Sequence, residues 1–400
     1  MKNNKAKLKS NIWKIYLYMA LYSLMFFTPI IVLFYQENGL SLTQIMVIQS
    51  IFSILFVLLE VPSGYFADVA GRKKALMITG ISAAIAMLVF AIGTTFYHFL
   101  LASTLWAIAG IFISGADSAF VYDTLKELNK ENQYKKVWGN IVFYYSIGIA
   151  VASIIGGLLG SLDYRYPFYA MIPFMLLLIP LSLSLKEPKR DKLIFKKNYL
   201  VGLLKIIKSS ILKNKKLRWL LVYSAVLISF IQVAYFFYQP YFELSGLNIV
   251  YFGVVFAGFS IVAALSAKYS HVLEEKIGKK YSLILLFILV SICYFLMSNF
   301  IYLFSFVFAF LIQFVKGFSS VVISDYVNQL TESSIRATVL SVKSLIEKMF
   351  YAVIAPFVGW FADIYSLQQA LNLSGIIILL FGIIISILFW KDKVLKSHIT

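Results

Sequence analysis

Twelve long apolar segments, separated by short stretches of charged and turn-forming residues, run through the chain. They lie at 12–35, 42–67, 75–96, 98–124, 138–160, 166–185, 217–241, 247–270, 281–297, 300–328, 337–361 and 368–390. About 20 apolar residues suffice to cross a bilayer as a helix. In lipid such a segment satisfies its backbone polar groups only within itself, whereas barrel strands would be about half as long. We therefore predict an all-α membrane protein with twelve transmembrane helices.

The composition supports a membrane protein and excludes several kinds of chemistry. Of 400 residues, 61% are apolar and 14% are charged, too much apolar surface for a soluble domain to bury. The single cysteine, Cys293, excludes an intramolecular disulfide, and the three histidines are too scattered for a metal site. No nucleotide-binding loop or nucleophile motif is present, so we expect neither an enzyme nor a metal or other cofactor.

Basic residues concentrate on one side of the predicted helices. The 36 lysines and arginines raise the net charge to +18. Of these, 32 lie in the chain ends and in loops on one side, three lie within segments, and only Arg165 lies on the opposite side. Because lysine and arginine accumulate in cytoplasmic loops, we predict a multi-pass cell-membrane protein with both termini in the cytoplasm. The charge requires no nucleic-acid partner.

The chain divides into two similar halves. Short residue patterns in one half recur in the other at offsets of 202 to 207 residues. Residues 34–36 recur at 237–239, and residues 39–40 recur at 246–247. The set Gly115, Ser118 and Asp123 recurs as Gly317, Ser320 and Asp325, and Gly156 recurs as Gly359. Six spans per repeat preserve orientation, so the halves are related by an axis along the membrane normal. We predict bundles at 1–185 and 217–400. The linker 186–216 has the pattern of a basic amphipathic helix on an anionic membrane surface, or is a plain connection.

A charged hinge, Gly64–Leu76, joins the second and third segments. Its defining residues are Gly64, Asp68, Gly71, Arg72 and Lys73, and a degenerate copy follows at Glu275, Gly278, Lys279 and Lys280. The hinge, the twelve segments and the two halves resemble the major facilitator superfamily over essentially the whole chain. This resemblance implies two pseudo-symmetric six-helix bundles and a secondary transporter.

The same resemblance implies a role for the hinge. Arg72 would pair with Asp68 and Asp123, and Asp68 would approach the positive N-terminal end of the eleventh helix. Such a lock would close the cytoplasmic side in one state of the transport cycle. The alternative is that these residues only shape a tight loop. The copy has His271 and Lys279 in place of the first glycine and the arginine, so we predict a lock on one side only.

Small residues in the fifth segment resemble the antiporter motif of drug-exporting members. The matching positions are Gly139, Gly148, Ala152, Ser153, Gly156 and Gly157, where Ala152 and Ser153 replace a glycine and a proline. Small residues at this spacing also allow plain close packing of helices. The arginine usual in the fourth span of those families is absent, with Trp106 or Ile111 at its place.

Ionisable residues inside the segments are functional candidates, because each costs about 2.5–3.5 kcal/mol on insertion scales. We predict a pair between Glu60 and Lys343 across the two halves, or a local pair of Lys343 with Glu347. Asp117 is predicted to carry a proton or a cationic substrate, or to be a hydrogen-bonded packing residue. Lys316 would neutralise it or bind an anion.

Aromatic residues with polar neighbours in the first and seventh segments predict a substrate cavity or interfacial belts. The predicted cavity-lining residues are Tyr22, Phe26, Gln36, Gln232, Tyr235 and Gln239. Together these features predict a monomeric transporter in the lipid bilayer that exports small hydrophobic or amphipathic compounds, with protons as the coupling ion. The alternative is an uptake symporter or facilitator for a polar metabolite such as a sugar.

Overall fold

A computed structural model describes residues 2–189, 214–333 and 335–391. The α-helices of this part are α1 (Lys2–Tyr22), α2 (Ile31–Glu37), α3 (Leu42–Ala70), α4 (Arg72–Ile92), α5 (Phe96–Ile113), α6 (Ala116–Glu127), α7 (Tyr134–Leu162), α8 (Tyr166–Ser184), α9 (Lys215–Leu244), α10 (Phe252–Lys268), α11 (Ser270–Ile277), α12 (Lys279–Asn299), α13 (Ala309–Gln329), α14 (Arg336–Ile364) and α15 (Leu367–Lys391). The described residues therefore form α-helices and short 3₁₀ turns.

Eleven helical segments of the described chain are long and apolar enough to cross a membrane. They correspond to the predicted segments from the second to the twelfth. The predicted linker helix falls mostly on 190–213, outside the described residues.

The first predicted span is not one helix, because it breaks between Tyr22 and Ile31. Through the break the chain follows short-range hydrogen bonds, such as the one from the Thr28 N–H to the Met25 carbonyl at 3.2 Å. Pro29 lies inside the break and has no N–H to continue a helical ladder. The sequence predicted one continuous segment over 12–35. The structure has a full interruption there, with α1 carrying the lysine-rich arm.

The described residues form two compact units. The first holds those up to Leu40, those from Ile54 to 189, and Ile249–Ala257. The second holds Ser41–Ser53, those from 214 to Asn248, and those from Gly258 on. Each unit thus contains one short segment from the opposite half of the sequence. In the first unit α4 packs against α5 and α8, and in the second α12 packs against α15 and α9 against α14.

The sequence repeat is visible in the backbone at two pairs of glycines. Gly39 (φ +82°) and Gly246 (φ +77°) each follow a helix in the left-handed conformation that favours glycine. Gly71 and Gly278 likewise share a positive φ just before α4 and α12. The match of Gly115 with Gly317 does not extend to conformation. Gly115 has a φ of +78° at a break, whereas Gly317 lies inside continuous α13.

Candidate functional site

We name the two ends of the helices by the hinge. The hinge end carries the junction of α3 and α4, and the far end carries the start of α3 and the junction of α7 and α8. At the hinge α3 ends at Ala70 and α4 begins at Arg72, with Gly71 at a φ of +120° between them. A side chain at this φ would be strained, so glycine allows the reversal.

Arg72 connects three carbonyl or carboxylate groups at the hinge end of the first unit. Its guanidinium donates to the carboxylate of Asp123 and to the backbone carbonyl of Ala119 on α6. A carboxylate oxygen of Asp68 lies 3.8 Å from its other terminal nitrogen. The side chains of Arg72 and Asp123 are each only 14% exposed, so this ion pair is largely shielded from water. The structure therefore brings together the two carboxylates that the superfamily resemblance assigned to Arg72.

Glu187 is part of this arrangement and was missed by the sequence reasoning. Its carboxylate accepts the backbone N–H groups of Arg72 and Lys73 at 3.0 and 2.8 Å, and so caps the N-terminus of α4. The Lys73 ammonium in turn donates to the Leu183 carbonyl at 2.5 Å. Since a helix N-terminus has unpaired N–H groups and partial positive charge, a carboxylate there is stabilising. The start of the central linker is thus bound to the hinge.

Replacing Glu187 by alanine should destabilise the hinge end without unfolding the protein. Loss of a capping carboxylate typically costs about 0.5–2 kcal/mol. We expect a lower thermal midpoint in detergent and faster proteolysis in the central linker. Glu131→Ala serves as the control, because Glu131 is an exposed glutamate near the end of α6. Equal midpoints for the two variants would contradict the capping role.

The small residues of α7 pack against the break in the first span. A side chain at Gly156 would overlap the backbone carbonyl oxygen of Phe26, and one at Gly148 would meet the Ser23 hydroxyl. On another face of α7, the α-carbon of Gly253 comes close enough to Gly157 that an added side-chain carbon would lie 3.0 Å away. The antiporter-like motif therefore forms two backbone contact surfaces inside the first unit. Ala152 and Ser153 are buried in the same helix.

The fourth predicted span is interrupted beside Asp117. Helix α5 ends at Ile113, Gly115 takes a left-handed φ of +78°, and α6 begins at Ala116. Asp117 lies in the first turn of α6, where one of its carboxylate oxygens accepts the Ser118 N–H at 2.6 Å. A half-helix N-terminus favours a negative charge. The break thus creates a place where a carboxylate is held within a membrane-spanning segment.

Asp117 interacts electrostatically with two tyrosines of the first unit, Tyr22 and Tyr145. Tyr22 stacks on Trp106 with ring centroids 5.5 Å apart, and Phe27 contacts the same tryptophan edge-on. Carboxylate and aromatic faces are the groups that bind organic cations in proteins. Phe26, another predicted cavity residue, is buried in the first unit.

The charged residues of the second unit form a separate group. The Lys343 ammonium lies 2.8 Å from the Glu347 carboxylate, which also accepts the Ser224 hydroxyl. This is the local pair that the sequence left as one alternative. A pair of Glu60 with Lys343 would join the two units and stays a prediction. Lys316 lies over the ring of Tyr235, with its ammonium 5.8 Å from the centroid.

The remaining predicted cavity residues differ in exposure. Gln232 is exposed and Tyr235 half-buried on α9, whereas Gln239 is fully buried. In the first unit the side-chain oxygen of Gln36 is buried without a hydrogen-bond partner. Their role in lining a cavity stays a prediction.

The degenerate hinge in the second unit keeps a polar contact in a different form. Lys279, at the place of Arg72, donates to the Gln329 side chain at 2.8 Å. Gln329 donates in turn to the Asp325 carboxylate at 2.6 Å. Asp325 occupies the place of Asp123, so the glutamine bridges two groups that are in direct contact in the first unit. The side chains of Lys279, Gln329 and Asp325 are exposed, so these contacts are weaker than the partly buried contacts of Arg72.

At the far end Arg165 ties several elements of the first unit together. It donates to the carbonyls of Ala91 and Gly93 at the end of α4, and to the Asn38 side chain at 2.8 Å. A cation at a helix C-terminus is stabilising. The single basic residue that the sequence placed on this side therefore has a packing role.

Known proteins similar to this chain are transporters. The Major Facilitator Superfamily model matches residues 15–305 and 245–400. The class H tetracycline resistance protein of Pasteurella multocida is 28% identical over 40% of this chain and 39% of its own length. Multidrug resistance protein 1 of Bacillus subtilis is 27% identical over 44% of each chain. The uncharacterized transporter YxaM of Bacillus subtilis is 27% identical over 63% of each chain. The chain thus spans less than two thirds of the length of these curated relatives.

Solved structures show the same fold. The crystal structure of the nucleoside transporter NupG superimposes with a TM-score of 0.80 at 16% identity, covering 97% of this chain and 99% of that one. A bacterial homologue of the human lysosomal transporter Spinster superimposes with a TM-score of 0.74 at 15% identity, covering 98% and 99%. These similarities confirm the predicted all-α transporter fold. The chain belongs to the Major Facilitator Superfamily and is a multi-pass membrane protein.

Proposed function

We propose that the chain exports small hydrophobic or amphipathic compounds, cations among them, in exchange for protons. The observation that carries this proposal is Asp117, which lies at the break in the fourth span and interacts electrostatically with Tyr22 and Tyr145. A carboxylate in an apolar, aromatic setting can bind a proton or an organic cation, but not both at once. Competition for one group is the physical requirement for exchange.

Three further features support export. Relatives named as a tetracycline resistance protein and a multidrug resistance protein share parts of the sequence. Another relative is named as a Na(+), Li(+), K(+)/H(+) antiporter, with 27% identity over 45% of this chain. The small residues of α7 resemble the motif of drug exporters, although their contacts are also those of close helix packing.

The proposed mechanism is alternating access in the cell membrane, by a monomer that exchanges substrate for protons. The positive-inside rule assigns the hinge end and both termini to the cytoplasm. The Arg72 contacts with Asp68 and Asp123 would then form a cytoplasmic lock, reinforced by Glu187. Opening this lock would expose the Asp117 site to the cytoplasm, where substrate enters.

A second candidate is uptake of a polar or anionic metabolite. Lys316 favours it, because this cation in a membrane-spanning helix lies over Tyr235, one helical turn from the exposed Gln232 on α9. An ammonium with an amide and a phenol would suit an anionic or polar solute. The fold shared with a nucleoside transporter is compatible with either direction.

Asp117→Asn in proteoliposomes tests the exporter proposal. Vesicles with an imposed proton gradient and tetraphenylphosphonium as the lipophilic cation should show gradient-driven transport with the parent and none with the variant, because asparagine cannot release a proton. Asp163→Asn is the matched control, since Asp163 lies exposed in the far-end loop. A variant that transports at the parent rate with unchanged pH dependence would remove Asp117 from the coupling.

Lys316→Gln tests the second candidate function, uptake of a polar or anionic metabolite. If Lys316 recognises an anion, the variant should lose uptake of anionic solutes while tetraphenylphosphonium transport persists. If neither changes, Lys316 contributes to packing alone.

A further inference from the structure

The start of α3 at the far end is capped twice. Ser41 and Gln44 form a reciprocal cap, in which the Ser41 N–H donates to the Gln44 side chain at 3.0 Å and the Gln44 N–H to the Ser41 hydroxyl at 3.3 Å. This cap leaves the N–H groups of Leu42 and Thr43 unpaired. Both donate instead to the carboxylate of Asp363, at 2.9 and 2.8 Å.

Asp363 is thus a capping residue supplied by a distant helix. It lies near the C-terminal end of α14, 320 residues from Thr43, and also accepts the Thr43 hydroxyl at 2.5 Å. Three hydrogen bonds to one carboxylate at a helix N-terminus combine charge-assisted bonding with the favourable helix dipole. All these residues belong to the second unit, so the contact is internal to it.

The backbones of α3 and α14 also touch beside this cap. Gly359 is one helical turn before Asp363, and a side-chain carbon there would lie 2.8 Å from the Leu42 carbonyl oxygen and 2.9 Å from Met46. A side chain at Gly359 would therefore push α14 away and withdraw the carboxylate from the N–H groups. Glycine at 359 and aspartate at 363 act on the same short stretch of α3.

Helix α3 is shared between the compact units at this point. Its first residues, to Ser53, group with the second unit, and those from Ile54 group with the first. In the sequence, however, α3 is the second span of the N-terminal half and α14 the eleventh span of the C-terminal half. The Asp363 contact therefore joins helices that must separate at this end when a superfamily transporter opens there.

We propose that Asp363 is the latch of the far end: its carboxylate holds the N-terminus of α3 against α14 and releases it when this end opens. The latch involves neither the substrate nor Asp117. A test of Asp363 therefore does not depend on whether the exporter proposal is correct. The Arg72 contacts lie within the N-terminal half of the sequence, whereas the Asp363 contact joins a helix of the N-terminal half to one of the C-terminal half.

Spin-label distances test the latch in the full-length protein. In a Cys293→Ser background, one label pair at the exposed residues Thr94 and Gln369 reports on the far end, and another at Lys130 and Glu332 reports on the hinge end. Asp363→Ala should increase the open far-end population about tenfold, which corresponds to about 1.4 kcal/mol. Because access alternates, the hinge-end distances should shorten in the same variant.

Matched variants separate the latch from general destabilisation. Thr43→Val should open the far end less than Asp363→Ala does, and Thr43→Ser should leave it closed, since serine keeps the hydroxyl. Glu243→Ala removes another exposed far-end carboxylate and should change neither distance. Unchanged far-end distances in Asp363→Ala would overturn the latch. So would a broadening of both pairs together, which indicates loss of structure and not a shifted equilibrium.

Discussion

Gly156→Ala is expected to prevent assembly of the folded transporter, whereas Gly139→Ala in the same helix should be tolerated. A methyl group at 156 would overlap the Phe26 carbonyl oxygen, which belongs to the backbone of the broken first span and cannot rotate away. Overpacking of a core usually costs about 1–3 kcal/mol, and overlap with fixed backbone places this change at the upper end. Fluorescence-detected size-exclusion chromatography in detergent would show aggregate in place of a monodisperse peak.

Gly139 is a suitable control because it lies in α7 and nothing comes within 4 Å of an added side-chain carbon. Alanine is the better helix former by about 1 kcal/mol, so this variant should equal or slightly exceed the parent in thermal midpoint. A monodisperse Gly156→Ala protein with the parent midpoint would show that the first span can move away from α7, against the tight contact described.

Arg72→Ala is expected to abolish transport in a protein that still inserts and folds. The change leaves the Asp123 carboxylate, only 14% exposed, without its cation. Removing one partner of a buried ion pair costs about 3–5 kcal/mol in the state that contains it. If the pair forms only while the hinge end is closed, that state loses most of its population. Transport assays in proteoliposomes, with labelling of the hinge end, would measure both effects.

The matching variants have distinct expected outcomes. Arg72→Lys should restore little, because an ammonium cannot bond Asp123 and the Ala119 carbonyl with the same geometry. Arg72→Ala combined with Asp123→Ala should recover stability by removing the unpaired charge. Lys74→Ala, an exposed neighbour, should transport normally. Parent-level transport by Arg72→Ala would mean that the hinge contacts are structural only.

Much of the fold follows from hydropathy, because each long apolar run has one favourable conformation in lipid. The pairing of Arg72 with Asp123 was implied by the resemblance of the hinge and the two halves to the superfamily. The break between Tyr22 and Ile31 did not follow, since an apolar run around Pro29 fits a bent helix equally well. The short-range backbone hydrogen bonds between Ser23 and Ile30 show where the helical ladder stops.

Contacts between distant positions were the part that could not be predicted. Glu187 lies 115 residues from Arg72, in what the sequence shows only as the start of a linker. Asp363 lies 321 residues from Leu42. A helix cap formed by adjacent residues can be recognised from the local sequence, whereas a cap supplied by a distant helix cannot. Gly115 and Gly317 show that the repeat does not predict conformation at every position. The two glycines match in sequence but adopt different backbone conformations.

The break at Gly115 makes α6 a short helix that carries two of the proposed functional carboxylates. Asp117 lies in its first turn and Asp123 six residues later, about 9 Å along the axis. A continuous fourth span would anchor both groups to the whole length of the membrane helix, whereas here a separate 12-residue helix carries them. If Asp117 binds a proton or substrate as proposed, a shift of its helix would reach the Arg72 ion pair directly, because Asp123 lies on the same short helix.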